Sequence, residues 1–138
     1  MAGLSRTIPA LPVRDVPAAV KHYRERFGFE PVHATRDFAV VVRDEAELHL
    51  WGATDEDWRT RGDLAARPIR SGAESFIAGT ASCRIQVRDV DALFAELEVA
   101  GVLHPVADGV ETTDFGTREF PTVDQDGNLL TFFRREPF

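Results

Sequence analysis

The sequence is poor in cysteine and has no long apolar run. Its single cysteine, Cys83, excludes an internal disulfide and a cysteine-rich metal site. One cysteine also fits a reducing compartment, so we expect a cytoplasmic protein. The longest uninterrupted apolar run, residues 38–42, is too short to cross a membrane or to form the core of a signal peptide. No membrane partner is expected.

Positive charge is also scarce. The chain has 16 Lys and Arg against 23 Asp and Glu, which gives a net charge of −7. This balance argues against a nucleic-acid partner or an anionic membrane surface, although it is also typical of ordinary soluble proteins. The sequence contains no glycine-rich phosphate loop, nucleophile elbow or HExxH helix. Several common catalytic classes are therefore excluded.

What the sequence does contain is an internal duplication. Residues 13–16, Val-Arg-Asp-Val, recur as residues 87–90, and Pro31-Val32 recurs as Pro105-Val106 at the same offset of 74. A chain of 138 residues is long enough for one compact domain. We therefore predict a single domain over 1–138, with one repeat at about 7–51, a connection at about 52–81 and a second repeat at about 82–135.

Each repeat is predicted to form a strand, a helix and three further strands. The first helix carries an apolar stripe at helical spacing and ends at Gly28, and the second has a similar stripe and ends at Gly101. Asp15 and Asp89 stand where helix N-caps are expected. The β-type runs lie at 30–34, 37–43 and 46–51, and at 103–107, 117–123 and 129–134. The predicted fold is α+β: two βαβββ repeats forming a curved mixed sheet with a ligand groove, and helices on the outer face.

The alternation of apolar and polar residues predicts which face of the sheet meets the ligand. Apolar positions of the best-resolved strands face the helices, and their neighbours face away. The residues predicted to face away are Glu47, His49 and Trp51, then Ser82, Arg84 and Gln86, then Leu129, Thr131 and Phe133. A mixture of aromatic and polar side chains suits a ligand groove. A solvated face or a dimer contact remains the alternative.

Several segments together carry a family resemblance. They are residues 8–16 (Ile-Pro-Ala-Leu-Pro-Val-Arg-Asp-Val), Phe27-Gly28-Phe29 at the helix exit, Asp37-Phe38-Ala39, Arg118-Glu119-Phe120 and the ending Asp124-Gln125-Asp126-Gly127-Asn128. With the paired repeats, these segments resemble the vicinal oxygen chelate superfamily, which includes glyoxalases, bleomycin resistance proteins and dioxygenases. The similarity is greatest to the bleomycin-binding branch.

The superfamily contains metalloenzymes and metal-free binders, so its metal positions matter. The resemblance places Ile8, His49, Ser82 and Thr131 at those positions. A divalent ion needs three or four good donors, and only His49 is one. We therefore expect a binding protein with no metal, no cofactor and no catalytic residue. The alternative is a metal-dependent glyoxalase, dioxygenase or thiol transferase that uses His49 in an atypical ligand set. A scaffold or sensor dimer is a third hypothesis.

The resemblance further implies sequestration of a large cationic glycopeptide with a flat tail, or of another small molecule, in a groove between two subunits. Its expected ligand-binding residues are Phe38, Glu47, His49, Trp51, Trp58, Arg84, Gln86 and Phe115. Arg84 departs from an acidic or aromatic lining and could suit an anionic or carbonyl-bearing ligand. Pro9 matches a proline of the bleomycin-binding proteins, whose first strand is exchanged between subunits. A homodimer with Pro9 as its hinge is therefore expected.

Overall fold

The computed structural model describes residues 1–53, 62–63, 65–66 and 77–137. Its strands form two four-stranded mixed sheets, ordered β1-β4-β3-β2 and β5-β8-β7-β6. The first sheet contains β1 (Ala10–Val13), β2 (Glu30–Ala34), β3 (Phe38–Arg43) and β4 (Ala46–Gly52), and the second contains β5 (Ser82–Gln86), β6 (Glu111–Thr112), β7 (Thr117–Val123) and β8 (Leu129–Arg135). The α+β class is confirmed, but the expectation of one continuous curved sheet is wrong for the described strands.

The described residues form two α-helices, α1 (Val16–His22) and α2 (Val90–Ala100). Asp15 and Asp89 cap them as predicted, because each carboxylate accepts a hydrogen bond at 3.0 Å from the backbone N–H three residues later. The first helix was expected to continue regularly to residue 27. Instead α1 passes into a π-helical turn over Tyr23–Phe27, and Gly28 then ends it in the left-handed conformation with φ of 75°. No described helix is long and apolar enough to span a membrane.

A single hydrophobic core joins the two halves. It contains inward side chains of both sheets, including Leu48 and Leu50 of the first and Leu130 of the second. The Phe27 ring, at the end of the first helix, stacks on the Phe132 ring of β8 with a centroid separation of 6.4 Å. Both sheets therefore turn one face to the same core and leave the other face outward. Cys83 packs against this core, and burial raises the pKa of its thiol to about 11, which leaves it a poor nucleophile at neutral pH.

The strand predicted over 103–107 is wrong. Leu103 makes one isolated antiparallel bridge to Thr122, and the edge position of the second sheet is taken by the two-residue strand β6. Pro105 has no N–H to donate to a neighbouring strand. The backbone instead turns here, with the N–H of Ala107 donating to the carbonyl of His104 at 2.8 Å.

A buried polar cluster ties the turn before β8 to the first half of the chain. Asp124 is 5% exposed, and its carboxylate accepts hydrogen bonds from the Tyr23 hydroxyl at 2.8 Å and from the backbone N–H groups of Asp126 and Asn128 at 2.9 Å. The Asn128 side-chain amide donates to Asp124 at 2.9 Å and to the carbonyl of Pro12 at 2.8 Å. Burial, followed by the nearby Asp124 carboxylate, raises the pKa of Tyr23 well above its usual value. The cluster therefore connects residues that are more than a hundred positions apart in sequence.

Candidate functional site

The outer face of the first sheet, here called the aromatic face, is built from Phe38, Glu47, His49 and Trp51. The antiparallel register of β3 and β4 sets Phe38 directly opposite Trp51. The Phe38 ring meets the His49 ring at 5.1 Å and the Trp51 ring at 6.0 Å, edge to face in both cases. Trp51 is 43% exposed, whereas its neighbour Leu50 is fully buried. The predicted alternation of β4 is therefore confirmed, and the face offers aromatic surface to a ligand.

A polar pair lies beside these rings. The Nε2 atom of His49 is 2.9 Å from the Oε2 atom of Glu47, and both side chains are partly buried. The Arg6 guanidinium also reaches Glu47, at 3.4 Å. The face therefore combines two aromatic rings, Phe38 and Trp51, with one carboxylate and one imidazole, which can orient a ligand through hydrogen bonds and attract a positive group.

The donor set does not fit a divalent metal ion. Among the residues that the structure describes, no group of three His, Cys, Asp or Glu side chains lies together as a metal site would require. Of the four superfamily metal positions, Ile8 offers no donor, and Ser82 and Thr131 offer only hydroxyl oxygens. Ser82 and Thr131 also belong to the second sheet, whereas His49 belongs to the first. A single imidazole with one adjacent carboxylate leaves the ion short of protein ligands.

The outer face of the second sheet, here called the arginine face, is built from Arg84, Phe115, Glu119 and Phe133. Arg84 on β5 and Glu119 on β7 reach towards each other across β8, which lies between those strands. They form a bidentate ion pair, in which the Nη1–Oε2 distance is 3.1 Å and the Nη2–Oε1 distance is 2.7 Å. Hydrogen bonds from Arg84, with a smaller contribution from Thr117, hold the pKa of Glu119 below its usual value.

Two aromatic rings flank the Arg84 guanidinium. Its central carbon lies 4.8 Å from the centroid of Phe133 and 5.7 Å from that of Phe115. Both distances are within the range of cation–π attraction. The Arg135 guanidinium also lies over the Phe133 ring, at 5.4 Å. Phe133 is only 7% exposed, whereas Phe115 is 65% exposed. The arginine face therefore presents Phe115 and Arg84 outward and keeps Phe133 beneath them.

The structure brings some predicted site residues together and separates others. Phe38, Glu47, His49 and Trp51 share the aromatic face, and Arg84 and Phe115 share the arginine face. Gln86 is exposed, has the same parity on β5 as Arg84 and lies opposite Phe133 in the β5–β8 register, so it shares the arginine face. The residue also borders a cleft of about 600 Å³ between the β3–β4 turn and the start of α2. Trp58 lies outside the described residues.

Exchange of the first strand between subunits stays a prediction. In the single chain, β1 pairs in parallel with β4 of the same chain, with Ala10 opposite His49. The carbonyl of Pro9 continues this pairing by accepting a 3.0 Å hydrogen bond from the His49 N–H. Pro9 therefore lies at the start of the strand whose exchange is expected.

Two residues of the arginine face were not among the predicted ligand-binding residues. Phe133 was assigned to this face by alternation, and Arg135, two residues later in the same strand, shares its parity, but nothing in that strand indicated that Arg84 of β5 would also cover the ring. Glu119 lies directly opposite Phe133 in the β7–β8 register. The alternation of β7, with buried Phe120 next to a charged residue, was the available signal for Glu119.

Comparisons with known proteins agree with this architecture. The sequence profile of the glyoxalase/bleomycin resistance protein/dioxygenase superfamily matches residues 6–132. Proteins named bleomycin resistance protein from Geobacillus stearothermophilus and Staphylococcus aureus are each 42% identical over 130 residues, covering 94% of this chain and 96% of theirs.

Solved structures show the same fold. The bleomycin-binding protein of bleomycin-producing Streptomyces verticillus, complexed with copper(II)-bleomycin, is 30% identical with a TM-score of 0.70, covering 96% of this chain and 97% of that one. The bleomycin resistance determinant encoded on the transposon Tn5 is 21% identical with a TM-score of 0.69, covering 96% and 99% of the two chains.

Proposed function

The chain belongs to the glyoxalase/bleomycin resistance protein/dioxygenase superfamily, and from this premise we propose that it is a metal-free binding protein that sequesters a bleomycin-type glycopeptide. The observation that carries the proposal is the pairing of exposed rings with orienting polar groups on the aromatic face, where His49 and Glu47 are too few to hold a catalytic metal. The relatives that are 42% identical over nearly the whole chain are named for resistance to bleomycin, which supports the same ligand class.

Capture and release need shape, area and charge but no reacting group. A flat heteroaromatic part of the ligand can pack on the Trp51 and Phe38 rings. A cationic part is attracted by Glu47 and by the net charge of −7 carried by the chain. Protection of the host then follows from mass action, because bound drug is not free to act.

We further propose that the ligand groove is formed by two copies of the chain. Within one chain the aromatic and arginine faces belong to separate sheets. In the proposed dimer, the arginine face of one copy lies against the aromatic face of the other, so that one ligand contacts both. Residues 1–8 support such pairing, since they are exposed and carry the apolar side chains Leu4 and Ile8, which are 103% and 38% exposed.

The binding proposal is tested by isothermal titration calorimetry with bleomycin. We expect one ligand per chain and a dissociation constant at or below about 1 μM, where the standard binding free energy is about −8 kcal/mol. Bleomycin should be recovered unchanged, and a chelator should leave binding of metal-free drug unaffected. Absence of binding at micromolar concentrations would remove the function, whereas chelator-sensitive conversion of the drug would favour the metalloenzyme alternative.

The assembly proposal is tested by the mass of the protein in solution. Light scattering during gel filtration should give a species with twice the 15.3 kDa mass of the chain. Deleting residues 1–8 is expected to shift this species towards the monomer, because it removes the exposed apolar side chains Leu4 and Ile8 that are proposed to support the pairing of two copies. Substituting Val99, which is 89% exposed on α2, by Ser is the matched control and should leave the mass unchanged. A full-length monomer, with or without drug, would contradict the proposal.

A further inference from the structure

We propose that the Arg84–Glu119 pair determines ligand specificity by presenting a flat but charge-neutralised platform to the planar part of the ligand. The inference rests on the proposed function and adds a residue pair to it. A positively charged ligand is expected to be repelled by the exposed Arg84 guanidinium unless a nearby group compensates that charge.

Glu119 provides this compensation. The Arg84 side chain is 44% exposed, whereas its partner Glu119 is 16% exposed. The ligand therefore meets the guanidinium plane, and the carboxylate that cancels its charge sits beside it, largely covered. Both hydrogen bonds of the ion pair use N–H groups in the guanidinium plane, so the pair itself covers neither face of that plane. Phe133 packs against the guanidinium, and the exposed part of the Arg84 side chain is what a ligand can stack on.

The rings next to the Arg84–Glu119 pair determine which chemical groups of a ligand can bind there. Phe133 supports Arg84 from 4.8 Å, and the exposed Phe115 lies 5.7 Å from the guanidinium carbon. A planar group that docks on Phe115 therefore also contacts Arg84. Such a site favours conjugated, flat and electron-rich groups, and it tolerates a positive charge elsewhere on the ligand as long as Glu119 remains ionised. It does not select an anion, since the arginine charge is already compensated.

A second ion pair on the same strand provides a matched control. Arg118, the residue next to Glu119, faces the other side of β7 and pairs with Asp91 at 2.7 Å, the same distance as the Arg84–Glu119 contact. Glu119→Gln and Arg118→Gln each break one exposed ion pair of β7, but only the first exposes an uncompensated charge on the proposed ligand face.

The experiment measures bleomycin affinity of wild type and variants at low and high salt. Glu119→Gln should weaken binding by roughly three- to tenfold at low ionic strength, and the loss should shrink in about 1 M salt, where the Debye length is about 3 Å. Arg84→Lys keeps the positive charge but lacks the planar guanidinium on which the ligand stacks. It should therefore weaken binding by about two- to fivefold at both salt concentrations. Arg84→Gln in the Glu119→Gln background should abolish the salt dependence of the loss.

The outcomes separate this proposal from the function on which it rests. Wild-type protein that binds bleomycin, together with a Glu119→Gln variant no weaker than Arg118→Gln, would overturn the platform alone. A loss in Glu119→Gln that persists undiminished in high salt would also overturn it, because the pair would then act through structure and not through charge. Wild-type protein that does not bind bleomycin would overturn both.

Discussion

Asp124→Ala is expected to lower the free energy of unfolding by about 3–5 kcal/mol, because it removes the common acceptor of a buried hydrogen-bond cluster. The carboxylate accepts four hydrogen bonds in a region that is only 5% exposed. Alanine would leave the Tyr23 hydroxyl and the Asn128 N–H buried without this acceptor. Because the cluster also positions Asn128 against Pro12, both halves of the chain should be destabilised together.

Urea denaturation followed by tryptophan fluorescence and by circular dichroism measures this loss. Asp124→Asn keeps an acceptor oxygen of the same shape, so it should cost less than Asp124→Ala. Asp91→Ala is the control, because it removes an aspartate whose ion pair lies at the surface, and it should change the denaturation midpoint little. Equal midpoints for Asp124→Ala and Asp91→Ala would show that the buried cluster does not hold the two halves together.

Trp51→Ala is expected to weaken bleomycin binding by roughly 10- to 100-fold while changing the melting temperature little. The Trp51 ring is a large exposed aromatic surface on the aromatic face and is braced by Phe38 at 6.0 Å. Removing it takes away contact area for the ligand but opens no cavity in the core. The loss should therefore appear in the calorimetric affinity and not in the unfolding curve.

Leu50, the residue before Trp51, supplies a control that should lose stability but not affinity. Leu50 is fully buried on the inner side of β4, so Leu50→Ala should lower the free energy of unfolding by about 2–5 kcal/mol. At a temperature where Leu50→Ala remains folded, its affinity for the drug should stay close to that of wild type. A large drop in melting temperature for Trp51→Ala would instead mean that the ring belongs to the core.

Local signals in the sequence predicted much of the fold. The aspartates at helix starts and the glycines Gly28 and Gly101 at helix ends act within one turn of backbone, so their effect is readable from neighbours in sequence. The two-residue period of β4 likewise separates Leu50 from Trp51 without knowledge of any other strand. The strand over 103–107 was predicted as a β-type run, but its backbone turns near Pro105, although Pro31 at the matching position of the first repeat lies within β2.

The parts that sequence reasoning missed depend on contacts between distant strands. The Arg84–Glu119 pair joins two strands that do not touch, because β8 lies between them. Periodicity assigns each residue to a face but does not say which partner it meets there. The same limit applies to the two sheets, since alternation is satisfied equally by one curved sheet and by two sheets that share a core.

Both sheets contribute to one core, and this affects how the ligand specificity of such a protein can change during evolution. Along β4 and β5, one set of alternate residues maintains the interior and the other set faces outward. Residues at outward positions can change under selection by a new compound while the interior retains its packing. Ligand specificity can therefore change with little loss of folding stability. Inward residues of these strands are therefore expected to vary little among relatives, and outward residues to vary with the ligand.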